Sequence, residues 1–464
     1  MKIIHNGIPS LNSFLPDQDP CAGNFLPSIY NYICRGTDKS FLYNSLTHML
    51  LLLEEDELPL AEQPVEIPSD GELLSDTLSF LIRKRFLVRE GSDEQADYLT
   101  LFEIYRGLDV KKQITSYTVL TTTGCNARCF YCFEADFKPV PMSEETADQL
   151  VRYIAEHRAG NSVKLRWFGG EPLCNIPVID RVSAGLKAAG IPFVCSVTSN
   201  GLLFSDEIVK RAKSDWNLSS VQITLDGMDE EHNRRKNFKG NHENPFRTIL
   251  ENIQKLVDAE IHVHVRLNFD RDNMDSIEKL LDYLISNYRG NRHISVYPSI
   301  LFENCSVWNA NRVDSEQDFL HSALIRYRDL LSEYGLYAHR RLSGSFKIGH
   351  CGANSLHSLT VNPDGRFSVC HNLSDQCTYG SVYEGITDKA LYSQWKVPGK
   401  LREKCIGCRW LPACTPFSVC PTVHTDCRQE HEDSFRRQIF REYAAWSEPL
   451  EPVESDDTDD DVMS

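Results

Sequence analysis

The stretch Ser116-Tyr117-Thr118-Val119-Leu120-Thr121-Thr122-Thr123-Gly124-Cys125-Asn126-Ala127-Arg128-Cys129-Phe130-Tyr131-Cys132 runs from a β-rich segment straight into three closely spaced thiols. Residues 117–121 carry the β-branched and aromatic side chains of a buried strand. The same signature returns at 163–168, 193–199, 219–225, 261–268 and 294–300. Amphipathic helices separate these runs. Ala147, Leu150, Val151 and Ile154 recur at helical spacing behind Ser143, a side chain suited to an N-cap. Ile249, Leu250, Ile253, Leu256 and Val257 repeat the pattern, as do Ile277, Leu280, Leu281 and Leu284. Gly190 stands where a left-handed C-cap would precede the third strand. Six β–α units without a hairpin signal predict an α/β fold, a partial (β/α)6 TIM barrel on a parallel sheet.

The chemically unusual residues fall at the C-terminal ends of these strands. The thiols follow the first strand, Gly169-Gly170-Glu171-Pro172 the second, and Ser199-Asn200-Gly201 the third. The fourth ends in Thr224-Leu225-Asp226-Gly227, and Arg266 and Asn268 close the fifth. In β/α barrels the loops converge on that rim, which is therefore the predicted active site.

Outside this middle region the chain has the composition of a soluble globular protein, 41% hydrophobic and 25% charged. Its 464 residues leave room for two or three domains. No apolar run is long enough to span a membrane, and the longest, near 50–53, ends in Glu54-Glu55-Asp56. The N-terminal Met1-Lys2-Ile3-Ile4-His5-Asn6 lacks the layout of a secretory signal, so a cytoplasmic setting is expected. The net charge of −17 argues against a nucleic-acid groove. Eight acidic residues from Glu448 onward, with no Lys or Arg among them, predict a disordered acidic tail over 448–464.

Sixteen cysteines are an excess for a reducing compartment, where disulfides are rare. They are unevenly placed, with a trio at 125–132 and eight between Cys351 and Cys427. Such clustering points to metal or iron–sulfur clusters. Cys21, Cys34, Cys174, Cys195 and Cys305 stand apart and read as small buried hydrophobes. Within the trio, Cys-x3-Cys-x2-Cys lets three thiolates wrap one four-iron cluster and leaves one iron open. A structural zinc would call for a fourth protein ligand, and none is near in sequence.

The spacing with Tyr131 before the last cysteine, and Gly-Gly-Glu-Pro after the second strand, resembles the radical S-adenosylmethionine enzymes over about 116–300. The resemblance implies a 4Fe-4S cluster on Cys125, Cys129 and Cys132, with the amino and carboxylate groups of S-adenosylmethionine on its open iron. Reductive cleavage of that cofactor would yield a 5′-deoxyadenosyl radical that abstracts a substrate hydrogen. It further implies that Tyr131, Gly169, Gly170 and Glu171 lie at the cofactor, the last three at its amino group. Ser199, Asn200 and Thr224 would meet the ribose. Arg266 suits the cofactor carboxylate, with Arg235 as a rival.

The distal cysteines, Cys351, Cys370, Cys405, Cys408, Cys414, Cys420 and Cys427, resemble the SPASM extension, which implies two auxiliary 4Fe-4S clusters. By the family's connectivity one would use Cys405, Cys408, Cys414 and Cys427. The other would use Cys351, Cys370 and Cys420, with Cys377 or a substrate thiolate as fourth ligand. The step from Cys414 to Cys420 is longer than the family's usual three intervening residues. Sulfatase-maturing, formylglycine-generating members carry a basic Asp after the second cysteine of this extension, where His371 stands here.

Near the N-terminus, β-like runs at 28–34 and 40–43 are followed by an amphipathic helix over 73–82. Then come 86–88, a turn around 91–94, and 98–105. This order resembles the small winged-helix leader-binding domain of ribosomal-peptide (RiPP) maturases, which take a peptide as an added strand. The expected layout is an N-terminal leader-binding-like domain (1–112), the radical SAM barrel (113–335), a Cys-rich SPASM domain (336–447) and the tail. The favoured function is a maturase that joins a peptide cysteine sulfur to an acceptor carbon as a thioether. Its partners would be a ribosomal precursor peptide and an electron donor such as flavodoxin or ferredoxin. Carbon–carbon or carbon–oxygen crosslinking, sulfatase maturation, small-molecule dehydrogenation and a non-catalytic iron–sulfur or zinc scaffold are the alternatives.

Overall fold

The computed structural model describes residues 1–8, 11, 14–35, 39–69, 74–109, 114–135, 137–301, 314–337, 352–373, 377–396 and 401–414, with 436 and 439. Their contacts divide them between two compact units. One is drawn from Met1–Lys111 and Pro398–Ser464, the other from Lys112–Ala338 and Gly352–Val397. The expected C-terminal domain, 336–447, is thus shared between the units and does not group by itself. The acidic tail lies outside the described residues.

The first unit contains two antiparallel sheets. Strands β1 (Lys2–Asn6), β2 (Gly23–Pro27), β3 (Asn31–Arg35), β4 (Ser40–Asn44), β5 (Met49–Leu53), β6 (Val65–Ile67) and β7 (Leu87–Arg89) pair in the orders β1-β5-β4-β3 and β6-β2-β7. The apolar run near 50–53 is β5, fully buried as an inner strand of the four-stranded sheet. The expected helix occupies Asp76–Arg83, and 98–105 lies within a longer helix, Glu94–Asp109. Two sheets exceed what a small winged-helix domain requires; β1, β2, β5 and β6 were not legible as strands.

Residues 401–414 pack into this same unit. Trp410 is buried against the rings of Tyr32 and Tyr43, and Leu411 joins a cluster with Tyr30, Tyr98 and Leu101. Ser45 Oγ donates to the Arg409 carbonyl, and the Gly407 N–H donates to Gln95.

The second unit is built on the six predicted strands. These are β8 (Ser116–Thr122), β9 (Val163–Gly169), β10 (Phe193–Ser199), β11 (Leu218–Leu225), β12 (His262–Phe269) and β13 (Ile294–Ile300), parallel and paired in sequence order. Ser143 accepts from the Thr146 N–H at the N-cap of helix Glu144–His157, as its position suggested. Gly190 adopts φ +65° just past the helix Ile176–Ala188. The helices bury Leu150, Ile154, Ile249, Ile253, Leu280 and Leu284 completely against the sheet, each worth about 1.5–3 kcal/mol of transfer free energy.

The sheet also continues where no hairpin was expected. Strand β14 (Ser358–Val361) pairs parallel with the free edge of β8. Strands β15 (Arg366–Ser368), β16 (Thr378–Ser381) and β17 (Gly385–Ile386) then extend it antiparallel. The result is one ten-stranded sheet, a partial barrel with β13 and β17 at its edges.

Candidate active site

Gly169 and Gly170 allow the ends of β8 and β9 to meet. A Cβ on Gly169, whose φ is +121°, would lie 2.1 Å from the Thr122 carbonyl oxygen. One on Gly170 would lie 2.5 Å from the Gly124 oxygen. Without side chains, the Gly170 N–H reaches the Thr122 carbonyl and the Glu171 N–H that of Gly124, each at 3.0 Å. The loop carrying the thiols is therefore clamped at its start. Its middle is held by the end of helix Asp229–Lys236, because the Arg128 N–H donates to the carbonyls of Lys236 and Asn237.

Cys125, Cys129 and Cys132 are all half-buried on this loop. Burial pushes the Cys125 thiol up to about 12 and raises that of Cys129, which the Lys236 ammonium opposes. Binding of iron would therefore release protons here. Among the described residues no three His, Cys, Asp or Glu side chains converge as ligands of one metal ion. The soft thiol donors and their shared loop fit a polynuclear cluster.

The remaining rim residues divide into those already engaged and those with polar atoms to spare. Glu171 is completely buried, and its carboxylate accepts from Ser199 Oγ (2.9 Å), the Asn200 N–H (2.8 Å) and the Leu173 N–H (3.1 Å). It braces β9 to β10 from within, and three of its carboxylate's acceptor positions are taken by the protein. Arg235 is equally committed, paired bidentately with Asp270 at 2.7 and 2.8 Å and with Glu231 at 2.5 Å. It is buried beneath Phe130, so it is not the open cation that carboxylate binding requires.

Arg266 differs. It donates from one terminal nitrogen to Ser299 Oγ at 3.0 Å, while its buried Nε has no hydrogen-bond partner. Asn126 Nδ2 and Asn268 Oδ1 are likewise buried and unmatched. Two donors and an acceptor at the strand ends suit a polar cofactor with amino-acid and ribose groups. Asn200 meets Asn126 at 2.6 Å, and Thr224 is half-buried at the end of β11.

Tyr131 belongs to a network that the sequence did not suggest. Its hydroxyl donates to Asp226 at 2.6 Å and accepts from Lys236 Nζ at 2.7 Å. Lys236 lies 3.4 Å from Asp226, and both are buried. Following Arg234 and Arg235, Lys236 reads as one more solvated charge; only the phase of its helix turns it inward.

From this rim the strands show a polar face. Thr198, Gln222, Thr224, His264, Arg266 and Tyr297 are half-buried and alternate with the fully buried Val197, Val221, Ile223, Val265 and Val296. Tyr297 donates to Gln222 at 2.8 Å. His371 packs on Phe168 at 4.3 Å between ring centres, and burial with the nearby Arg166 lowers its pKa to about 4, so it is neutral at pH 7.

Of the distal cysteines, Cys370 and Cys377 flank the β15–β16 connection, where the Val369 N–H bonds the Cys377 carbonyl at 3.1 Å. Cys405, Cys408 and Cys414 are half-buried on one loop of successive turns. Cys351, Cys420 and Cys427, and the scattered Cys305, lie outside the described residues. Cys34 and Cys195 are buried as expected, but Cys21 and Cys174 are exposed.

A consequence follows from the burial of Glu171, which raises its pKa from the ordinary 4.5 to about 7 despite its three donors. The folded state holds that proton more tightly than the unfolded one. The stabilisation is complete below about 4.5 and is lost as pH rises through about 7. Between pH 5 and 8, urea denaturation is expected to show about 2–3 kcal/mol more loss of stability in the wild type than in Glu171→Gln.

A sheet of parallel strands with a three-thiol loop at its rim is the architecture of a radical SAM domain, and residues 119–284 match the model of the Radical SAM superfamily. This part of the chain is a radical SAM domain. Among curated proteins, the chain is 27% identical over 190 residues to GTP 3′,8-cyclase of Clostridium perfringens (strain SM101), covering 40% of this chain and 57% of the cyclase. It is 28% identical over 172 residues to the sporulation killing factor maturation protein SkfB of Bacillus subtilis, covering 36% and 38%. The match thus spans less than two thirds of either relative. Native anSMEcpe with bound AdoMet and Cp18Cys peptide shares the fold, at 14% identity and a TM-score of 0.53 over 72% of this chain and 99% of that one.

Proposed function

We propose that this chain is a radical SAM enzyme of the peptide-maturing kind, which installs thioether crosslinks in a ribosomally made precursor. The reading rests on the three-thiol loop, clamped at the end of β8, together with the unmatched polar atoms of Asn126 in that loop and of Arg266 and Asn268 at the end of β12. When bound, the 4Fe-4S cluster and S-adenosylmethionine supply a one-electron cleavage that yields the hydrogen-abstracting 5′-deoxyadenosyl radical. Cys125, Cys129 and Cys132 hold the cluster, Arg266 grips the cofactor carboxylate, and Asn200 and Thr224 border the ribose. Glu171 and Ser199 keep the rim in place from behind. The distal cysteines hold two auxiliary clusters, and sixteen thiols suit a reducing cytoplasm.

The described relative that matures a killing factor supports a peptide substrate. The edge strands of the N-terminal unit, β1 and β3 in one sheet and β6 and β7 in the other, are where an extended leader would add as a strand. Each thioether would take one hydrogen atom from the acceptor carbon and one proton from the cysteine, with one electron leaving the peptide. A Cys-containing precursor peptide should then lose the mass of two hydrogens per crosslink on incubation with holoenzyme, S-adenosylmethionine and reductant. Conversion of a sulfatase-type cysteine to formylglycine would favour sulfatase maturation instead.

The two arginines separate binding from folding. Arg266→Ala is expected to weaken S-adenosylmethionine binding roughly 10- to 100-fold with little change in melting temperature. Arg235→Ala should instead cost about 3 kcal/mol of stability by stranding Asp270 and Glu231, as thermal unfolding would show.

A further inference from the structure

Lys236 holds the three-thiol loop on both sides of Cys129. Its backbone carbonyl accepts from the Arg128 N–H at 2.9 Å. Its ammonium donates to the Tyr131 hydroxyl at 2.7 Å and lies 5.4 Å from the centre of that ring. Lys236 is the last residue of the helix Asp229–Lys236, where the unpaired carbonyls of a helix end favour a cation.

The charge is held out of water and is only partly offset. Lys236 is 3% exposed, a burial that lysine seldom accepts without a close counter-ion. The Asp226 carboxylate lies 3.4 Å away, but the hydrogen bond of the ammonium goes to the neutral Tyr131 hydroxyl. Arg235, one residue earlier, is different, because Asp270 and Glu231 set two carboxylates against its one guanidinium. Arg128 and Lys239 also reach the loop, at the Cys125 carbonyl, yet both are exposed and screened by solvent. Burial disfavours the Cys129 thiolate; the Lys236 charge favours it, and more strongly than Asp226 opposes it.

We propose that Lys236 is a positioning residue of the three-thiol centre, whose buried charge raises the reduction potential of the cluster on Cys125, Cys129 and Cys132. The inference rests on the proposed radical SAM function and assigns a task that the thiols themselves do not perform. Reduction adds one electron to the cluster, so a fixed cation shielded from water favours the reduced form. Asp226 acts on the same centre with the opposite sign. The Lys236–Tyr131–Asp226 network thereby sets how readily the centre accepts its electron.

The test is an anaerobic redox titration of reconstituted holoenzyme. It is read by electron paramagnetic resonance on the signal that changes when S-adenosylmethionine is added. Lys236→Met should make that cluster about tenfold harder to reduce, a fall of about 59 mV for one electron. Asp226→Asn should shift the potential upward. Iron content and thermal unfolding are measured on the same preparations. A lysine that serves packing alone would lower the melting temperature of Lys236→Met and leave the potential of the iron-loaded protein unchanged, which would overturn the proposal. If Lys236→Met does not keep its iron, the Asp226→Asn potential decides, and an unchanged or lower value overturns the proposal. A wild type with no signal responsive to S-adenosylmethionine would overturn the functional reading, and this proposal with it.

Discussion

Cys129→Ala is expected to abolish 5′-deoxyadenosine formation and to lower bound iron by about four atoms per chain. The residue is central in the loop, with the Arg128 N–H fixed to helix Asp229–Lys236 on one side and Tyr131 fixed to Asp226 on the other. That anchoring leaves no freedom for another donor to replace the missing thiolate. Cys174 supplies the control. It lies close enough to Cys125 for their charges to interact, yet it sits on the short turn after Glu171 and is exposed. Cys174→Ala should retain both iron and product, measured by metal analysis and chromatography of the same preparations.

Gly170→Ala is expected to have the second largest effect, although it adds a single methyl group. The new Cβ would meet the Gly124 oxygen at 2.5 Å, with the Gly124 carbon and Thr123 oxygen at 2.8 Å. All three are backbone atoms at the start of the cluster loop, so relief requires moving the loop itself. The cost is about 3 kcal/mol if the loop stays in place, at the upper end for overpacking. If the loop shifts instead, the thiols lose register with Arg266 and Asn268. Thermal unfolding and iron content together distinguish these outcomes, and at least one must fall.

What the sequence disclosed follows from which physical signals are local. Strands β8–β13 were legible because each is a run of β-formers, the first five with polar or thiol residues at or just past their ends, separated by helices of clear periodicity. Their order needed only the rule that successive β–α units are neighbours. The N-terminal sheets were less legible. Strand β5 is Met49-Leu50-Leu51-Leu52-Leu53, apolar at every position, and such a run has no alternation to identify it. Strand β6 has three residues, too few to show a period.

The site divides in the same way. Thiol spacing and the Gly-Gly-Glu-Pro turn are read directly along the chain. Whether a charge is open or engaged depends on partners far away in sequence. Arg235 stood as a rival to Arg266 until Asp270 was seen to grip it. That Glu171 also holds β9 to β10 was not legible, because its donors include the distant Asn200 N–H. Lys236 was hidden among neighbouring basic residues, and only folding brings it to Tyr131.

The central claim is that Cys125, Cys129 and Cys132 hold a cluster that cleaves S-adenosylmethionine reductively. Its most direct test is anaerobic incubation of reconstituted protein, carrying at least four irons per chain, with S-adenosylmethionine and dithionite. Chromatography should reveal 5′-deoxyadenosine from the wild type and none from Cys129→Ala. A fully loaded wild-type protein that yields no 5′-deoxyadenosine would contradict the account.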